Sequence, residues 1–99
     1  MQQIGGTFRK DGHAVADRAR VFLVIDARRE QIRWYGSFLV PAKAQLRQPG
    51  SYHLELSDGR QGTVLVSRVR TMQCGLVGGF VGEGPLVPAA DLTADRAAD

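Results

Sequence analysis

From residue 32 to 40 the chain reads IRWYGSFLV, and most of its large apolar side chains fall on every second position. Ile32, Trp34, Phe38 and Val40 share one face, while Arg33, Tyr35 and Ser37 share the other and Leu39 breaks the pattern. A period of two marks a strand with one buried face. Gly36 inside it predicts a bulge or bend of the kind that curls a sheet into a barrel, and Pro41 ends it. Upstream, RVFLVID (20 to 26) is β-branched and aromatic, and too short for a helix. Its five consecutive apolar residues predict burial on both faces, as in a barrel wall or a subunit contact. ARREQ (27 to 31) reads as a charged turn between the two strands.

The stretch YHLELSDGRQGTVLV (52 to 66) reads as a hairpin. Tyr52, Leu54 and Leu56 form one apolar face, and Val64 and Val66 form the matching face of the returning strand. Both sets lie on the same side only when paired residue numbers have an even sum. A two-residue Asp58-Gly59 loop gives an odd sum. A three-residue loop, Ser57-Asp58-Gly59, sets Leu54 opposite Gly62 and Tyr52 opposite Val64. It also puts Gly59 at the left-handed position of a type I turn with a glycine bulge. The returning strand runs on through residue 70, with apolar residues on both parities at Leu65 and Val69. That too predicts a strand apolar on both faces, in a closed barrel or an oligomer contact.

The remaining segments are less regular. TFRKDGHAV (7 to 15) holds a second Asp-Gly pair and reads as a weaker hairpin, in which only Phe8 and Val15 are bulky and apolar. Residues 42 to 49 form a loop or one helical turn before the Pro49-Gly50 turn. CGLVGGFVGEGPLVP (74 to 88) predicts an irregular last strand near residues 76 to 81, with bulges at its glycines. Residues 89 to 99 are small, polar and acidic, and read as a frayed tail.

The 99 residues therefore make a single all-β domain over residues 1 to 88. Its architecture is a small barrel, SH3-like or OB-like, or a compact sandwich of five to seven mostly antiparallel strands. The expected core is Phe22, Val24, Ile32, Trp34, Phe38, Leu54, Leu56, Val64 and Val66, closed at one end by Phe80.

Composition narrows the function. The longest apolar run, Val21 to Ile25, is five residues, against about 20 needed for a membrane-spanning helix. With no visible signal peptide and no membrane partner, the expected location is the cytoplasm. One cysteine, Cys74, and two histidines, His13 and His53, lack chelating spacing, so neither a metal nor a cofactor is expected. Cys74 reads as a small buried or half-buried apolar residue. His53, Glu55, Ser51 and Ser57 share one strand face, yet a solvated sheet face looks the same, and no catalytic motif accompanies them. The glycine-rich segment lacks the strand-to-helix context of a phosphate loop. The chain is expected not to be an enzyme.

The net charge is +3, and residues 1 to 90 hold 12 basic and 7 acidic residues. Eleven of the 13 basic residues are arginine, which suits phosphate and carboxylate recognition but also follows from a GC-rich genome. Two surfaces stand out. Arg28, Arg29 and Arg33 with Tyr35, joined by Arg60, Arg68 and Arg70 of the second hairpin, are candidates for a nucleic-acid face. Leu39, Leu65 and Val69 are outward apolar candidates for an assembly face. Over seven residues DGRQGTV resembles the glycine-turned hairpin of KOW-type ribosomal segments, and no functional residue is carried over from that likeness. The expected function is a non-catalytic binding or assembly module for another protein or its own copy. Nucleic-acid binding is the alternative.

Overall fold

The computed structural model describes residues 1 to 28 and 31 to 88. Among these residues lie six strands: β1 (Gln2–Lys10), β2 (His13–Arg28), β3 (Gln31–Val40), β4 (Gly50–Leu56), β5 (Arg60–Met72) and β6 (Gly75–Pro88). All neighbours are antiparallel, and the order β1-β2-β3-β6-β5-β4 closes on itself through β1 and β4. The fold is a closed six-stranded barrel, not a sandwich. Closure through β1 and β4 removes the two outer edges that an open sheet of this size would expose. The expectations placed on Arg29 and on the 89-to-99 tail lie outside the described residues.

The hairpins follow their turn chemistry. In β4–β5, Tyr52 pairs with Val64 and Leu54 with Gly62, and the Gly59 amide donates to the Leu56 carbonyl at 3.0 Å. Gly59 has φ +98°, the left-handed region that the three-residue loop requires. In β1–β2, Lys10 pairs with His13 across Asp11-Gly12, both at positive φ, as in a type I′ turn. β2 and β3 pair as far as Arg28 and Gln31, so the strands extend into the segment expected to be a charged turn.

The core is aromatic at its centre. Phe8 and Phe38 rings lie 4.9 Å apart, Phe80 sits 6.4 Å from Phe8, and Trp34 sits 6.2 Å from Phe80. Large and small residues alternate across β3 and β6. Gly36 pairs with Phe80 and Phe38 with Gly78, while the Trp34 indole fills the space a Cβ on Gly82 would need. Gly36 is therefore neither bulge nor bend. It sits in regular register, and a Cβ there would collide with the Phe22 carbonyl oxygen.

Three expected core residues, Phe22, Val24 and Ile32, are not in the core. Val21 and Leu23 point inward and are buried, while Phe22 and Val24 lie on the outer face, half-buried. The cause is register. β2–β3 pairs have odd sums, as in Leu23–Gly36 and Ile25–Trp34, so odd positions of β2 share a face with even positions of β3. Ile32 is on the inward side but 69% exposed, because the β2–β3 hairpin projects past the end of the barrel. A second correction concerns Val69. One extra residue, Ser67, separates the Val66–Phe80 and Arg68–Gly79 pairs. This bulge reverses the alternation, so Val69 turns inward and packs against the core. The two apolar parities of β5 thus reflect a bulge beyond Val66, and Leu65 alone of the two faces outward.

The β3–β4 loop contains no helical turn. It caps the barrel: the Ala44 amide donates to Pro41 O, the Gln45 amide to Val15 O, and Leu46 is fully buried. The Tyr52 hydroxyl donates to Gln48 O at 2.7 Å, and burial pushes its pKa up, so it remains a donor. β6 is longer than expected, and its irregularity lies at Gly84-Pro85-Leu86, three residues opposite Gly62 alone. Cys74, expected buried or half-buried, is exposed in the β5–β6 turn.

Candidate docking face and adjoining cleft

Alternation along each strand and register between strands place apolar side chains side by side on the outside of the barrel. Val24 pairs with Tyr35, Tyr35 with Val81, and Val81 with Leu65. The four form an unbroken outer row across β2, β3, β6 and β5. Tyr35 is 42% exposed, Val81 46% and Leu65 39%, so the row is open to solvent. In the next row Phe22 and Ser37 lie beside Gly79, whose bare backbone leaves a shallow floor, and then Arg68. A third row sets Leu39 and Val77 between Arg20 and Arg70. At standard strand spacing and rise the face measures about 14 Å by 13 Å.

Arg20, Arg33, Arg68 and Arg70 are exposed around this patch. Among the described residues no ion pair engages Arg33, Arg68 or Arg70. The expected basic face is thus brought together in part. Arg33, Tyr35, Arg68 and Arg70 share the outer face. Arg60 does not join them as a charge available to a ligand: its Nε donates to Asp58 Oδ2 at 2.8 Å and its Nη2 to Gln2 Oε1 at 2.9 Å. Arg28 ends β2, paired with Gln31. Of the expected assembly residues, Leu39 and Leu65 lie on the face and Val69 does not.

Below the Tyr35–Val81 pair, β3 and β6 separate. Between them opens a cleft of about 1090 Å³. One wall is the projecting β2–β3 arm, with Ile25, Ile32 and Arg33; the other is Gly84, Pro85 and Leu86 of the β6 bulge. Gly84 lies in the left-handed region there, at φ +85°. The floor is the Trp34 indole, whose Nε1–H donates to the Gly84 carbonyl at 2.9 Å. Ile25 and Ile32 stay exposed because nothing in the barrel reaches them. Apolar row and cleft are continuous, since Tyr35 and Val81 line both.

The polar face around His53 is made of mutual contacts. Ser51 Oγ donates to Glu83 at 3.0 Å, His53 Nε2 lies 2.8 Å from Gln61 Oε1, and Arg9 Nε donates to Glu55 at 3.0 Å. No serine hydroxyl reaches His53 among these bonds. No group of three or more metal-ligating side chains occurs among the described residues. No helix there is long and apolar enough to cross a membrane.

No protein-family model matches the chain, no curated protein matches its sequence and no solved structure matches its fold. The seven-residue likeness to KOW-type hairpins therefore extends to no family. It is explained by local turn geometry, since Gly59 takes the left-handed turn position and Gly62 makes room for Trp34.

Sequence reasoning reached Tyr35, Leu39 and Leu65 on this face but missed Phe22, Val24, Val77 and Val81. No local signal placed Phe22 and Val24: it is the pairing of Arg28 with Gln31 that makes the β2–β3 sums odd and turns both outward.

Proposed function

We propose that this barrel is a non-catalytic binding module that docks another protein on its outer β2–β3–β6–β5 face and the cleft below. The observation that carries this reading is the row Val24–Tyr35–Val81–Leu65, apolar side chains on the outside of a barrel whose core is already full. Contiguous exposed apolar surface rimmed by charge is characteristic of docking sites. The arginine rim favours a partner bearing carboxylates. Two copies placed face to face would set like charges against one another. A standard interface covers about 800 Å² per partner, more than the row alone offers, so the cleft belongs to the same footprint.

The test is site-specific photocrosslinking in cells from position 81, with position 53 on β4 as the control. A discrete adduct from position 81 and none from 53 is expected, and Leu65→Asp should reduce it about tenfold or more, as loss of a well-placed anchor does. Equal adducts from both positions, or none from 81, ends the reading. An adduct of twice the chain mass identifies a second copy as the partner.

Nucleic-acid binding has one specific support: Arg33, Arg68 and Arg70 share a face with Tyr35. Against it, Tyr35 is the one exposed aromatic among the described residues, and base stacking carries much of single-strand affinity. If the reading holds, anisotropy with a short single-stranded oligonucleotide shows steep salt dependence. Arg33→Ala with Arg68→Ala then lowers the log–log salt slope by about 1.4, at roughly 0.7 per phosphate contact. An unchanged slope removes these arginines from the contact.

A further inference from the structure

The walls of the cleft are strand edges as well as apolar surfaces. Below Tyr35–Val81, β3 continues to Gln31 with β2 as its one strand neighbour, and β6 continues to Pro88 with β5 as its one neighbour, among the described residues. Along such a strand, N–H and C=O groups alternate between its two sides. Half of those in β3 between residues 31 and 34 therefore point into the cleft, where no strand receives them; on β6 the bulge breaks the alternation, Pro85 has no N–H, and Gly84 O already accepts from Trp34. The bond that spans the gap comes from a side chain, Trp34 Nε1–H to Gly84 O. Unpaired strand edges are templates for another strand.

We propose that the cleft receives an extended segment of the partner protein, added as a strand to the free edge of β3, with the β6 wall packing against its side chains. The inference deepens the docking reading and rests on it. Register supplies the chemistry of the segment. Ile25 and Ile32 on the arm and Leu86 across from them face apolar side chains at alternate positions of the incoming strand. Arg33 at the mouth faces a carboxylate on its other side. The β3 edge runs from residue 31 to 34, about 13 Å at strand rise, so four to six residues of the partner are engaged. A compact apolar ligand would fill the space but leave the edge groups unpaired. A nucleic acid would find one exposed aromatic in the cleft, Tyr35 at its mouth, since Trp34 on the floor is only 3% exposed.

The test uses the intact chain, immobilised and panned against a display library of random peptides about nine residues long. The best peptide is then synthesised and titrated by Trp34 fluorescence. Enriched sequences should alternate apolar residues and carry an Asp or Glu. Ile32→Asp should weaken binding about tenfold or more; the side chain is exposed, so the barrel stays folded. N-methylation of alternate peptide amides should do the same by removing backbone donors, while methylation of the intervening ones should not. Peptides indifferent to N-methylation or to Ile32→Asp overturn strand addition. So does a library that yields no binder, or a single-stranded oligonucleotide that displaces the peptide from the cleft. A crosslink from position 81 that persists in any of these cases leaves the docking reading standing and shows that the partner uses the outer face alone.

Discussion

Replacing Phe38 with alanine should lower the unfolding free energy by about 3–5 kcal/mol. Phe38 is fully buried, 4.9 Å from the Phe8 ring. Its ring lies where a Cβ on Gly78 would be, and Gly78 has no side chain to move into the void. The barrel wall behind Gly78 is hydrogen-bonded on both sides, to β3 and to β5, so collapse there means breaking ladder pairs. The residual cavity should stay large and the cost should fall at the upper part of the range. A domain of this size holds about 5–15 kcal/mol in total. Urea unfolding should therefore show the midpoint falling by a third or more, and the melting temperature by roughly 15 °C or more. A loss under about 1.5 kcal/mol would mean that β3 and β6 close up around the missing ring, and that the glycine–aromatic alternation is not what sets their spacing.

That alternation shows where the sequence is readable and where it stops. The β4–β5 hairpin is legible to the residue, because loop length, glycine position and the parity of Leu54, Leu56, Val64 and Val66 all demand one register. Trp34 and Phe38 are legible as core because they share the inward face of an alternating strand, whereas Phe80, expected to close one end, sits between Phe8 and Trp34 in the central cluster. β2 is different. Five apolar residues in a row carry no phase of their own, so Val21 and Leu23 cannot be told from Phe22 and Val24 until the connection to β3 is known. Val69 is misread for a related reason: a single inserted residue, Ser67, reverses every later side chain. Phe8 and Leu46 are isolated hydrophobes in polar stretches, yet both are fully buried, one under the aromatic cluster and one as a plug. Only tertiary closure reveals them. The cleft depends on β3 and β6 parting after Tyr35–Val81, which follows from the Gly84-Pro85 bulge and from the length of the arm, two features without a local pattern.

Gly82→Ala tests the floor of that cleft. The three atoms nearest to a Cβ on Gly82 all belong to the Trp34 indole, and a Cβ on Gly62 would meet the same ring at 2.8 Å. The indole is thus wedged in a slot between two glycines, held by its bond to Gly84 O and packed against Phe80. It cannot yield as a flexible side chain would. An added methyl must displace it, at a cost of about 1–3 kcal/mol for overpacking and about 1 kcal/mol for the lost hydrogen bond. Trp34 is the sole tryptophan, so its emission should shift to the red as the ring leaves the core. Trp34→Leu alone should also destabilise, by loss of buried area and of the same bond. Combined with Gly82→Ala, it removes the group with which the methyl collides. The double variant should then be more stable than the two single losses predict, by about 1–2 kcal/mol. Strict additivity would place the indole away from Gly82 and leave the cleft without its indole floor. A positive coupling has a second consequence: Gly82→Ala pushes the displaced ring into the space between Ile32 and Leu86, so any segment bound there should be lost even where the barrel remains folded.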